Sequence, residues 1–206
     1  MIQMSKFSRR DALKAIGAVP AAAGLTWSSA DVALAQEQAA RARGAARAAK
    51  TAYTPKFFTA HEWETVRLLV DIMIPRDDRS GSATDAGVPE FMDFMMTDRP
   101  PWQYAMRGGL RWLDIECRRR FDKAFADCAP EQRQQVLDDI AWPNNRKPEF
   151  SHGAAFFTNF RDMTATGFWT SKIGIDDLQY MGNRPVGEWN GCPEAAMKHL
   201  GVTHTD

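Results

Sequence analysis

The chain has 206 residues, with 26 basic and 26 acidic side chains, 44% hydrophobic residues and three cysteines. This is the composition of an ordinary globular protein, without the strongly basic footprint of a nucleic-acid binder. No apolar run reaches the roughly 20 residues that span a bilayer.

The N-terminus carries a segment that looks like a removable address. Phe7-Ser8-Arg9-Arg10-Asp11-Ala12-Leu13-Lys14 resembles a twin-arginine export motif, with Arg9 and Arg10 as the signal pair. A weakly apolar stretch follows to about Leu25, and Ala33-Leu34-Ala35 offers a small-x-small cleavage site before Gln36. Residues 1–35 are therefore expected to be a signal peptide, and the location periplasmic. Twin-arginine export carries folded proteins, so this chain is expected to cross the membrane folded. What remains is 171 residues with 22 basic and 24 acidic side chains. Its large apolar residues are eleven Phe, six Trp and eight Met against seven Leu, six Ile and six Val, which predicts a bulky, adaptable core.

Residues 36–56 are rich in Ala and Arg and hold no large apolar residue before Tyr53, so they are expected to form a mobile arm or a frayed helix. Order is expected from residue 57 to 206, as one domain. Thr59 reads as an N-cap, Glu62 closes a capping box, and Phe58 and Trp63 are placed for a hydrophobic staple. Trp63, Val66, Val70 and Met73 then keep helical spacing until Pro75. Residues 76–87 form a polar loop, after which Pro89 opens a short helix bearing Phe91, Phe94 and Met95. A longer helix is predicted from Gln103 to Phe121, with Met106, Leu110, Leu113 and Cys117 on one face. Another starts at Pro130 with Val136, Leu137 and Ile140. The next has Ser151 as N-cap and presents Phe156, Phe157, Phe160 and Met163. From Gly167 the chain turns irregular and aromatic until a short helix from Pro193 to Leu200, capped by Gly201. No segment alternates with period two. The expected fold is all-α: a small bundle of about five or six helices with a long irregular C-terminal segment.

The chain carries no sequence motif for resident chemistry. The chain holds no Cys-x-x-Cys-His for haem and no Gly-x-Gly-x-x-Gly for a dinucleotide. His61, His152, His199 and His204 lack metal-ligand spacing. Asp77, Asp78 and Asp85 fail the calcium-loop pattern at Arg79 and Val88, and read as helix-capping residues of a solvated loop. Arg118-Arg119-Arg120 fan around a helix and read as solvated surface. A stand-alone enzyme would have to use scattered acids such as Asp71, Asp176 and Asp177; a purely structural envelope protein is a third reading.

Four groups of residues carry a resemblance. They are Leu69-Val70-Asp71-Ile72-Met73-Ile74-Pro75-Arg76-Asp77; Arg118-Arg119-Arg120-Phe121 with Phe125; Thr166-Gly167-Phe168-Trp169-Thr170-Ser171; and Tyr180-Met181-Gly182-Asn183 with Glu188-Trp189-Asn190-Gly191-Cys192-Pro193. In this order they resemble the gluconate 2-dehydrogenase subunit 3 family, over about Thr59 to Val202. The resemblance implies a small, mainly helical, non-catalytic subunit with no cofactor of its own. It also implies two partners, an FAD-dependent dehydrogenase of the glucose-methanol-choline type and a cytochrome c subunit carrying haem c. Trp189-Asn190-Gly191-Cys192-Pro193 departs from the pattern of many relatives and points to another sugar branch, such as the glucoside 3-dehydrogenases. On this reading the chain assists folding and export of the catalytic subunit. Phe168, Trp169, Tyr180, Trp189 and Cys192 are expected at the partner interface; the alternative is that the aromatics complete the chain's own core.

The cysteines are odd in number, so at least one stays free or bonds another chain. Cys117 and Cys128 can pair only if the chain turns between them, for which Phe121-Asp122-Lys123 is a candidate. Cys192 precedes Pro193 at the start of the last helix, where the dipole favours a thiolate, which makes it the candidate for a bridge to the catalytic partner; the alternative is an unbonded thiol packed as a small apolar residue.

Overall fold

The computed structural model describes residues 28–142, 147–180, 182, 187–188 and 191–202. These contain nine α-helices and no strand, so the all-α expectation holds with more helices than the five or six anticipated. They are α1 (Ser29–Ala48), α2 (Ala60–Met73), α3 (Ala83–Ala86), α4 (Val88–Asp98), α5 (Pro100–Phe121), α6 (Pro130–Ala141), α7 (Ser151–Trp169), α8 (Lys172–Asp177) and α9 (Glu194–Leu200). Arg9 and Arg10 lie outside the described residues.

Local chemistry sets most boundaries. Thr59 Oγ1 accepts from the Glu62 amide and Glu62 Oε2 accepts from the Thr59 amide, the expected capping box. The Phe58 and Trp63 rings lie 6.2 Å apart, as a staple requires. Proline opens α4, α5 and α6 at their first or second positions, where a missing amide costs nothing. Ser151 is the first residue of α7 rather than its cap; a 3₁₀ turn over Pro148–Phe150 leads directly into it.

At the centre is α4. Val88, Phe91, Met92, Met95 and Met96 are all fully buried, and α1, α2, α5 and α7 pack around them. Of the twelve largest fully buried side chains, eight are Phe or Met, so the unusual composition is spent inside the molecule. Two glycines let these helices approach closely. A Cβ at Gly109 would stand 1.9 Å from the Phe156 ring, and one at Gly167 would stand 2.8 Å from Phe91.

The expectation of an arm over residues 36–56 is corrected. Residues 29–48 form one continuous helix that runs through Ala35-Gln36, and Val32, Ala35 and Ala39 are buried against α4. The residues are small because the helix lies close to its neighbour, so a search for large apolar side chains misses the face. Ser28 and Asp31 form a capping box, Asp31 pairs with Arg99, and Gln36 Nε2 donates to the Gly167 carbonyl at 2.6 Å. Cleavage after Ala35 would remove the cap and two buried residues. A chain starting at Gln36 is therefore expected to be less stable than one starting at Ser28 by about 2–4 kcal/mol, the worth of a cap plus a buried Val and Ala. Comparing the two melting curves checks this, and identical curves would show that α1 contributes nothing N-terminal to Gln36.

The arginine run is corrected at Arg120 alone, since Arg118 and Arg119 are exposed as expected. Arg119 and Arg120 both hold Glu116, Arg120 also pairs with Asp139 of α6 at 2.7 Å, and its guanidinium lies 5.4 Å from the Phe150 ring centre. The hydrogen bond from Arg119, then that from Arg120, holds the Glu116 carboxyl below the usual range. Fanning around the helix turns Arg120 toward α6 rather than water, while Arg119 shares only Glu116 with it.

Candidate partner-binding surface

The chain segment from 166 to 180 is not the irregular tail expected. α7 continues through Phe168 and Trp169, then Ser171 breaks it in an extended conformation and caps α8. Ser171 Oγ donates to the Phe168 carbonyl at 2.7 Å and accepts from the Gly174 amide at 3.1 Å. α8 folds back so tightly that a Cβ at Gly174 would sit 2.1 Å from the Phe168 carbonyl oxygen, which leaves glycine as the residue that fits. Gln179 in the left-handed region ends α8, with the Tyr180 amide donating to the Ile175 carbonyl at 3.2 Å.

Two other elements fix this corner. Gln36 of α1 holds the Gly167 carbonyl and Thr170 Oγ1; Arg79 of the 76–82 loop donates to the Asp177 carbonyl at 2.8 Å and pairs with its carboxylate at 3.3 Å. The loop itself is shaped by Asp77, which accepts from the amides of Ser80 and Arg79; these two bonds, Ser80 first, hold its carboxyl below the usual range. Asp85 serves as the N3 residue of the α3 capping box and pairs with Arg76, so it is the helix-capping aspartate the sequence suggests, whereas Asp77 shapes the turn of the loop instead.

The five residues expected at an interface separate. Phe168 is 1% exposed, with its ring edge-on to Trp169 at 4.9 Å, so it belongs to this chain's own core. The physical reason is the extension of α7, which carries Phe168 onto the inward face shared with Phe160 and Met163. Trp169 is 39% exposed and Tyr180 is 58% exposed. Ile175 on α8 and Leu178 just past its end are exposed as well, so four large apolar side chains lie on one short, braced stretch. Cys192 is exposed, and Trp189 lies outside the described residues.

The acids considered for an independent enzyme have structural partners. Asp71 Oδ1 accepts from the Thr84 amide at 2.7 Å, Asp176 pairs with Lys172, and Asp177 pairs with Arg79. Two acidic positions were missed in the sequence. Asp93 is fully buried in α4 and accepts from Tyr53 Oη and the Lys56, Phe57 and Phe58 amides. Burial and then this hydrogen bond push the Tyr53 phenol pKa upward. Glu90, one turn earlier, lines a cleft of about 350 Å³ between α1 and α4 together with Ala39, Tyr53 and Phe94, and burial raises its carboxyl pKa. Both stand inside the apolar stretch Val88-Pro89-Glu90-Phe91-Met92-Asp93-Phe94-Met95-Met96, and an acid in such a run is the signal that marks them. A second missed group is His61, whose Nε2 donates to Asp114 at 2.5 Å; Asp114 also accepts from the Phe125 amide.

Among the described residues no helix is long and apolar enough to cross a membrane. No curated protein and no solved structure matches the chain. The family model described as gluconate 2-dehydrogenase subunit 3 matches residues 60–191, which covers α2 through α8 and the 166–180 corner. Over that span, and in keeping with its all-helical fold, the chain belongs to the gluconate 2-dehydrogenase subunit 3 family.

Proposed function

We propose that this chain is the non-catalytic small subunit of a periplasmic sugar or sugar-acid dehydrogenase, in which a separate flavoprotein of the glucose-methanol-choline type binds FAD and oxidises the substrate. Family membership implies an accessory subunit of a dehydrogenase complex. The observation that carries the docking role is the braced corner of Trp169, Ile175, Leu178 and Tyr180. Apolar side chains grouped on a rigid support bind with little ordering cost, and aromatic anchors dominate many interfaces. Exposed Cys192 is the proposed covalent contact to the same partner. A cytochrome c subunit is the proposed electron acceptor, and it needs nothing from this chain but a place in the assembly. The folded subunit assists the flavoprotein and carries it through the twin-arginine pathway on the Arg9-Arg10 signal.

Co-expression tests both halves. A tagged subunit is expected to bring down a yellow, FAD-containing protein from the periplasm and to show no turnover alone. Replacing Arg9 and Arg10 by Lys is expected to leave both proteins in the cytoplasm. A flavoprotein that still reached the periplasm would end the escort role, while turnover by the subunit alone would end the accessory reading.

A further inference from the structure

The turn that pairing of Cys117 and Cys128 requires is present. Cys117 lies on the buried face of α5, which ends at Phe121; Asp122 then takes the left-handed conformation at φ 57° and reverses the chain. A 3₁₀ turn over Phe125–Asp127 follows, and its return is anchored at the far end by the Phe125 amide donating to Asp114 Oδ1 at 3.0 Å, one turn before Cys117 on the same helix. Phe125 is fully buried and acts as the plug that holds this return against α5. Cys128 is held from both sides, its thiol donating to the Lys123 carbonyl and its own carbonyl accepting from Arg133 Nε at 2.9 Å. The consequence is that two buried cysteines eleven positions apart in sequence are brought together between α5 and its return, with Cys128 a neighbour of the Cys117 thiol.

We infer that Cys117 and Cys128 are a disulfide site, closed by a thioredoxin-like oxidant in its disulfide form, which leaves Cys192 as the one thiol open to another chain. The step balances as thiol–disulfide exchange. One cysteine of the pair, as its thiolate, attacks a sulfur of the oxidant's disulfide; a mixed disulfide forms and one oxidant thiolate leaves. The second cysteine attacks the mixed disulfide, forming the Cys117–Cys128 bond and expelling the second oxidant thiolate. The pair gives up two protons and two electrons, and the oxidant becomes a dithiol.

The surroundings also say when this happens. Burial first, and then the neighbouring Cys128, push the Cys117 thiol up to about 12, so in the closed structure it is a poor nucleophile. Exchange therefore needs the 122–128 return to swing out, either before the chain is fully folded or in a local opening that lifts Phe125 away from α5. Once formed, the bond locks that return in place, and the odd cysteine count resolves into a buried pair and exposed Cys192.

The inference does not depend on any partner subunit and is tested on the full-length chain. The purified protein is equilibrated in a glutathione redox buffer until its thiol content stops changing, then alkylated in denaturant without reduction and digested with trypsin. The expected product is residues 112–118 joined to residues 124–133, separating on reduction, with the Cys192 peptide alkylated. The bridged protein is expected to melt roughly 5–10 °C above its reduced form. Recovery of both peptides singly alkylated or glutathionylated would overturn the inference, as would a bond from Cys192 to either cysteine.

Discussion

Replacing Asp93 by alanine is expected to cost the fold about 3–5 kcal/mol. The carboxylate is fully buried and accepts four hydrogen bonds, two of them from the buried amides of Phe57 and Phe58. Each buried donor left without an acceptor costs about 1–3 kcal/mol, and here two are orphaned at once. The segment they anchor also carries the staple, for Phe58 sets the entry to α2 and Arg107 stacks on Phe57 at 4.5 Å while donating to its carbonyl. Asparagine should lose less, because its carbonyl still accepts the Phe57 and Phe58 amides while its NH₂ group opposes the Lys56 amide. Denaturant melts followed by tryptophan emission, to which Trp63 beside Tyr53 contributes, measure the loss. An Asp93→Ala protein within 1 kcal/mol of the parent would show that the 53–58 segment does not depend on this acid.

Which parts of the fold were legible follows from the kind of signal each element carries. α2 was readable because its cap, staple and stop are written in consecutive residues, and the structure reproduces all three. α1 was not, because its buried face is Val32, Ala35 and Ala39, too small to register as an apolar stripe yet suited to close approach against α4. The continuation of α7 was missed because Gly167 reads as a breaker, whereas here glycine is what allows α7 to pass Phe91. At the candidate surface, the aromatic cluster announced itself, but which aromatic faces inward depends on helical phase. Extending α7 by three residues decides it for Phe168 and Trp169. Asp93 and the Cys117–Cys128 pair are tertiary facts: one depends on where the 53–58 segment docks, the other on the left-handed reversal at Asp122.

Substitution of adjacent Phe168 and Trp169 by alanine is expected to give opposite results, and the contrast separates folding from docking. Phe168 is 1% exposed and fills the inner face of α7, so truncation leaves a cavity and should destabilise the free subunit by about 3–5 kcal/mol. Any loss of complex formation in that variant is secondary to the loss of structure. Trp169 projects outward from the same turn and keeps a large part of its surface in solvent. Its truncation should change the melting of the free subunit far less, since Gly174, Ser171 and the Arg79–Asp177 pair hold the corner without it. In the complex it should cost about 2 kcal/mol or more if it acts as an anchor, a loss of roughly thirtyfold in affinity for the dehydrogenase subunit. Calorimetry on each free variant, alongside titration against the catalytic subunit, reads both effects separately. A Trp169→Ala protein that binds its partner as tightly as the parent would move the interface away from the α7–α8 corner, while leaving family membership intact.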